Sequence, residues 1–193
     1  INNFEFVLPT KIIFGEGTIN QLPDAVRNMG HEKPLIVTDK GLIAAGLVSK
    51  ITDVLDDAGI EYAIFDGIQP NPRDTTVQEA AAFAEENAID MMIAIGGGSS
   101  MDTAKAIGVI LKEGGIINDY EGLDVVSKPI TDLIAIPTTV GTGSEVTFWS
   151  VITDTKRHFK MSVGSPLIAA KLAIVDPDLV ETLPPSIIAA TGM

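Results

Sequence analysis

The sequence contains no cysteine. That excludes a disulfide framework, a thiol nucleophile and a Cys-based zinc site. Histidine occurs only twice, at His31 and His158, and neither stands at metal-ligand spacing from a second ligand, so no metal site complete within the chain is expected. Neither histidine accompanies a nucleophile-bearing elbow, so no Ser-His-Asp set is expected either. Basic residues are scarce. Thirteen Lys and Arg stand against 26 Asp and Glu, for a net charge of −13. Nucleic acid and anionic membranes reward basic patches, so neither is expected as a partner. No apolar run approaches the roughly 20 residues that a bilayer span needs. The opening residues lack the basic segment and apolar segment of a signal peptide, and the expectation is a soluble cytoplasmic protein.

What the sequence has is an apolar, mixed pattern. Its 193 residues are 46% hydrophobic and 20% charged, which supports a packed core without staples. After an opening section over Phe4–Phe14, short apolar runs alternate with amphipathic stretches. The runs are Leu35–Thr38, Tyr62–Phe65, Met91–Ile95, Leu133–Ile136 and Leu172–Val175. Each is apolar on both faces, as strands inside a parallel sheet are. Between them, Val48, Ile51, Val54 and Leu55 recur at helical spacing, as do Val77, Ala80, Ala81 and Ala84, and then Ala104, Ile107 and Leu111. Strand, helix and strand in repetition predict an α/β fold: a Rossmann-like, doubly wound and mostly parallel sheet.

Two segments depart from the alternation. Val146–Ile152 and His158–Val163 flank the turn Thr153–Arg157 and read as a β-hairpin excursion on the parallel sheet. Trp149, Phe148 and Phe159 read as packing for that hairpin. At the end, Pro184-Pro185-Ser186 opens an apolar helix that stops at Met193. The expectation is one domain over 1–193 whose last helix, from about 186, is truncated at a domain boundary. Its apolar face, including Ile187 and Ile188, would favour a homo-oligomer.

The chemistry-bearing residues sit where strands end. In Ile93–Asp102 an apolar run enters Gly96-Gly97-Gly98-Ser99 and then a helix. Glycines admit a ligand close to the backbone, and free N–H groups at a helix start suit a phosphate. The plainer alternative is a tight turn capped by Ser99 or Ser100. In Ile136–Glu145, Thr138, Thr139, Thr142 and Ser144 crowd a second loop with glycine. Such hydroxyls suit a ribose, a phosphate or a carboxamide, or simply build a turn. Both loops would meet at the carboxyl edge of the sheet, where open α/β sheets bind ligands. Asp39 ends a strand, where an acid can accept ribose hydroxyls and repel a 2′-phosphate; capping the next helix is the alternative. His31 reads as a solvated loop residue, and His158 and Lys160 as an exposed hairpin edge.

These residues resemble the iron-containing (group III) alcohol dehydrogenases. The likeness runs through Pro9–Gly17, Thr38–Gly41, Pro70-Asn71-Pro72, Gly96–Lys105, Pro137-Thr138-Thr139, Thr142–Glu145, Asp176-Pro177 and Ala189–Met193. It implies an NAD-binding domain that an all-helical domain follows. It also implies that Asp39 reads the adenosine ribose, that Asn71 lies near the cofactor and that Gly97, Gly98 and Ser99 hold the pyrophosphate. Thr138, Thr139, Thr142 and Ser144 would line the nucleotide and nicotinamide, with Asp102 and Thr147 completing the set. Lys160 would reach the nicotinamide ribose, and Leu179 would pack near the adenine.

Members of that family hold a divalent metal, Fe or Zn, through one aspartate and three histidines. Those ligands are expected after Met193, so the chain alone is expected to bind cofactor without being a competent dehydrogenase. The implied parent reaction is hydride transfer between NAD and a small alcohol or aldehyde. A non-catalytic nucleotide-binding fragment and a glycerol dehydrogenase- or dehydroquinate synthase-like domain remain as alternatives.

Overall fold

Strands that are apolar on both faces must be covered on both, and this requirement organises the molecule. The computed structural model describes residues 7–180 together with Ile188, Ala189 and Gly192. In chain order its main elements are β1 (Lys11–Phe14), α1 (Leu22–Asn28), β2 (Pro34–Val37), α2 (Lys40–Ala44), α3 (Leu47–Asp57), β3 (Ala63–Phe65), α4 (Asp74–Glu86), β4 (Met91–Gly96), α5 (Gly98–Glu113), β5 (Gly122–Leu123), β6 (Leu133–Pro137), β7 (Trp149–Asp154), β8 (Phe159–Gly164) and β9 (Leu172–Val175).

Six strands form a parallel sheet in the order β1-β9-β6-β4-β2-β3. Alternate residues feed opposite cores. Ile36, Ile93, Ile95, Ile134 and Ile136 pack with Leu22 and Val26 of α1 and Ile51 and Leu55 of α3. Leu35, Val37, Met92, Ala94 and Leu133 pack with Val77 and Ala80 of α4 and Ala104 and Ile107 of α5. A fully buried Leu or Ile stabilises by about 1.5–3 kcal/mol, so these two layers outweigh any single cap or turn. From β2 the chain passes to β3 on one side, and then to β4 on the other. That reversal opens a crevice beyond the carboxyl ends of β2 and β4.

The sheet edges differ from the expectation. Tyr62–Phe65 is not a buried strand: β3 starts at Ala63, closes the sheet and is only half-buried. The opening section is also more than a lead-in, because Lys11–Phe14 pairs with β9 and forms the opposite edge. Edge strands are covered by one neighbour only, which explains why neither follows the two-faced pattern of β2, β4 and β6.

The hairpin does not join the parallel sheet. β7 and β8 pair antiparallel and, with β5, make a separate three-stranded sheet. Ser150, Ile152 and Asp154 alternate with less buried neighbours along β7, so one face lies on protein and the other is freer. The turn lies between Asp154 and Phe159. It is tied by the Asp154 carboxylate, which accepts from Lys156 N at 2.9 Å, Arg157 N at 2.8 Å and Arg157 Nε at 2.6 Å. Trp149 stacks on Phe148 with ring centres 6.0 Å apart, and it leaves no room for a side chain at Gly164. Ile187 and most of the terminal segment lie outside the described residues; Ile188 and Ala189 are helical. No helix among the described residues is long and apolar enough to cross a membrane.

Candidate functional site: a cleft at the carboxyl edge of the sheet

Gly96 ends β4 with φ of 145°, in a conformation that favours glycine, and a Cβ there would collide with Ser100 Oγ. Gly97 is the N-cap of α5 and supplies no capping side chain. Ser99 and Ser100 therefore lie inside the first helical turn and do not cap it, contrary to the plainer reading of the loop. The first N–H groups of α5 have no intrahelical partner, and the helix dipole gives that end partial positive charge. Such an end suits an anion.

The loop after β6 closes over it. Thr138 N donates to Gly96 O at 2.9 Å, which locks the two loops together. A Cβ on Gly97 would lie 3.0 Å from Thr139 Oγ1, and one on Gly98 would lie 3.5 Å from Thr142 Cβ. The Thr139 hydroxyl is buried and has no hydrogen-bond partner in the protein. The glycines thus leave a cradle with an unmatched polar group on its wall, and the set fits a phosphorylated ligand.

The crevice has two compartments. The first holds about 640 Å³ and is lined by Asp39, Gly97, Gly98, Ser99, Thr139 and Thr142 together with Asp66–Pro70. The second holds about 470 Å³ and is lined by Asn71, Asp102, Ser144, Thr147 and Lys160 with Trp149 and Val151. Gly98, Ser99 and Thr142 belong to both. Sequence-distant loops are therefore joined in one trough with the α5 N-terminus at its middle.

Asp39 is the N-cap of α2 and stands at the crevice. Its Oδ1 accepts from Leu42 N at 3.0 Å, capping α2, while the residue also lines the first compartment. Asn71 is held at φ of 57°, in the left-handed region, between Pro70 and the buried Pro72. Lys160 is exposed on β8 opposite Thr153 and borders the second compartment.

Beneath that compartment lies a charged network. Asp102 Oδ1 accepts from Ser144 Oγ at 2.6 Å, and its Oδ2 accepts from Val151 N at 3.1 Å. Burial raises the Asp102 pKa, against the lowering effects of Ser144 and Lys105. Lys105 is fully buried. Its Nζ donates to Ser144 O at 2.7 Å, Trp149 O at 2.8 Å and Ser144 Oγ at 3.1 Å. Burial lowers its pKa to about 8, although Asp102 and Glu145 pull the other way.

Two candidates stand apart from the walls. Thr138 is buried behind the cleft, and Leu179 is buried in the core with Ile19 and Leu22; neither lines a compartment. His31 is not solvated: its side chain is 19% exposed, and Nε2 lies 3.1 Å from Asp132 Oδ2. The partner is 101 residues away, beyond the reach of local pattern. Sequence reasoning gave Lys105 no role. Its signal was a lysine on the same helical stripe as Met101, Ala104 and Gly108, one turn from Asp102. Among the described residues no group of three or more His, Cys, Asp or Glu is placed to hold a metal ion.

The family model for iron-containing alcohol dehydrogenase matches residues 9–177. The chain belongs to this family. It is 45% identical over 192 residues to the choline dehydrogenase of Bacillus subtilis, covering 97% of this chain and 48% of that protein. To the NAD-dependent methanol dehydrogenase of Bacillus methanolicus it is 43% identical over 188 residues, covering 97% and 49%. The solved structure of a 1,3-propanediol oxidoreductase superposes with a TM-score of 0.96 at 37% identity, covering 100% of this chain and 50% of that one. The chain spans about half the length of the curated relatives it matches.

Proposed function

We propose that residues 1–193 form the NAD-binding domain of a metal-dependent alcohol dehydrogenase that moves a hydride between NAD and a small alcohol or aldehyde. The observation that carries this reading is the continuous trough centred on the N-terminus of α5. Asp39 faces the adenosine ribose in the first compartment, and a second phosphate at the 2′ position would meet its charge. Gly97, Gly98 and Ser99 take the pyrophosphate on their free N–H groups. Thr139 and Thr142 donate hydroxyls beside it. Asn71, Asp102, Ser144, Thr147 and Lys160 surround the nicotinamide end. Thr138 and Leu179, set behind the walls, are left out of the contact set. When bound, NAD supplies the hydride acceptor or donor, while these side chains orient the ring and exclude water.

A divalent metal, Fe or Zn, and the residues that hold it belong to the parent enzyme in this reading. A cytoplasmic location and a homo-oligomeric state are parts of the same proposal. The oligomer is supported by the β1 edge, where Val7, Leu8, Ile12 and Phe14 are exposed.

One second reading is a nucleotide-binding module without catalysis, supported by compartments that meet at the α5 N-terminus among the described residues. The coding region beyond Met193 separates the two. An aspartate followed by histidines supports the enzyme, and a stop codon supports the module. The biochemical test is NADH consumption with a panel of short aldehydes and added Fe²⁺ or Zn²⁺. Turnover by the parent, with none by residues 1–193 alone, is expected; no turnover by either contradicts the proposal.

A further inference from the structure

Lys105 is a fully buried cation that the hydride chemistry leaves unused. Its neighbours come from three elements. Asp102 lies one turn earlier on α5, Ser144 and Thr147 lie on the loop after β6, and Trp149 opens β7. An ammonium has three hydrogens. The two carbonyls, at 2.7 and 2.8 Å, take two of them. The third is shared between Ser144 Oγ at 3.1 Å and Thr147 Oγ1 at 3.4 Å. Because Ser144 Oγ receives a hydrogen from Lys105, its own hydrogen is directed to Asp102 Oδ1, 2.6 Å away.

We propose that Lys105 is a positioning residue for the second compartment, fixing the Ser144–Thr147 segment to α5 and turning Ser144 toward the trough as a hydrogen-bond acceptor only. Asp102, with both oxygens already engaged by Ser144 and Val151, stays pointed at the same place. The wall is then a preset acceptor surface, suited to a ligand group that carries N–H or O–H donors. The first compartment shares none of these atoms. Loss of Lys105 should thus be felt at one end of the trough alone.

Deprotonation should act in the same way. A neutral amine keeps two hydrogens for the two carbonyls and leaves the Ser144 and Thr147 hydroxyls free to reorient. The charged groups acting on the ammonium are Asp102 from α5 and Glu145 from the loop, while β7 contributes the Trp149 carbonyl. Burial against these partners sets the change near pH 8.

The inference rests on the cofactor reading of the cleft, and two probes keep their failures apart. NADH spans both compartments, and ADP-ribose lacks the nicotinamide. Calorimetry on wild type and Lys105→Met is expected to show NADH weakened about tenfold or more, with ADP-ribose changed less than about twofold. In wild type, the NADH to ADP-ribose affinity ratio should fall as pH rises through about 8, and Lys105→Met should flatten that dependence. Should Lys105→Met fail to fold, the wild-type pH series gives the same readout. Binding of ADP-ribose with both ligands weakened equally, or with a ratio flat in pH, overturns the role of Lys105 while leaving the cleft reading intact. Failure of wild type to bind either ligand overturns both.

Discussion

Gly97 and Thr139 face each other across the floor of the cleft, and a methyl group on Gly97 would stand 3.0 Å from Thr139 Oγ1 and 3.3 Å from its Cγ2. The φ of Gly97 is −88°, which any residue adopts. Steric room for a ligand, not backbone freedom, is what this glycine provides. Gly97→Ala is therefore expected to weaken NADH at least about tenfold, or ~1.4 kcal/mol. The melting temperature should move by less than about 4 °C, the change that ~1 kcal/mol brings in a chain of this size. Calorimetry beside a thermal melt checks both. A large loss of stability with unchanged binding would assign Gly97 to folding.

Asp39 caps α2 and lines the first compartment, and substitution separates the cap from the proposed effect of its charge on the cofactor. Asp39→Asn keeps an oxygen for Leu42 N and removes the charge from the first compartment. The expected result is near-native stability with a higher NADPH to NADH affinity ratio. Asp39→Ala should show the same shift in preference plus a loss of about 1 kcal/mol from the missing cap. A preference unchanged in both variants would assign Asp39 to capping alone.

The sequence showed the interior of the fold better than its margins, for a physical reason. β2, β4 and β6 are covered on both faces, so their composition reports burial directly. At the edges, β1 is mostly exposed and β3 is only half-buried, and the two-residue β5 carries no pattern at all. The glycine and threonine loops could be placed at the carboxyl edge because each directly follows a buried run. Their closure was not legible, because it depends on Thr138 N meeting Gly96 O. The pairs His31 with Asp132 and Lys105 with the Ser144 loop join distant segments, and no local spacing encodes such partners.

Asp154 makes the hairpin turn sensitive to acid. Hydrogen bonds from Arg157 and Asn118, and from Lys156 N, hold its carboxyl well below the usual range. A carboxyl depressed in the folded state stabilises fully above its unfolded pKa of about 3.9 and loses that contribution as pH falls further. Melts of wild type should therefore drop steeply below about pH 4. Asp154→Asn should be less stable at neutral pH and lose less on acidification. Parallel acid curves for the two proteins would exclude Asp154 as a source of the slope.

The β1 edge carries Phe14 at 72% exposure and Ile12 at 44%. Among the described residues no strand pairs with the outer side of β1, and such an edge beside exposed apolar side chains invites pairing with another strand. Within the proposed oligomer, Ile12→Lys together with Phe14→Glu is expected to reduce the assembled fraction in sedimentation velocity while NADH affinity changes less than about twofold. An unchanged distribution would place the contact elsewhere.

The most direct test is a calorimetric titration of the 193-residue chain with NADH, with NADPH as the control. The trough is built by β2, β4, β6 and the hairpin, all within the described residues. Saturable, one-to-one binding that prefers NADH is therefore the expected result. Binding of neither cofactor would contradict a cofactor site formed by this chain.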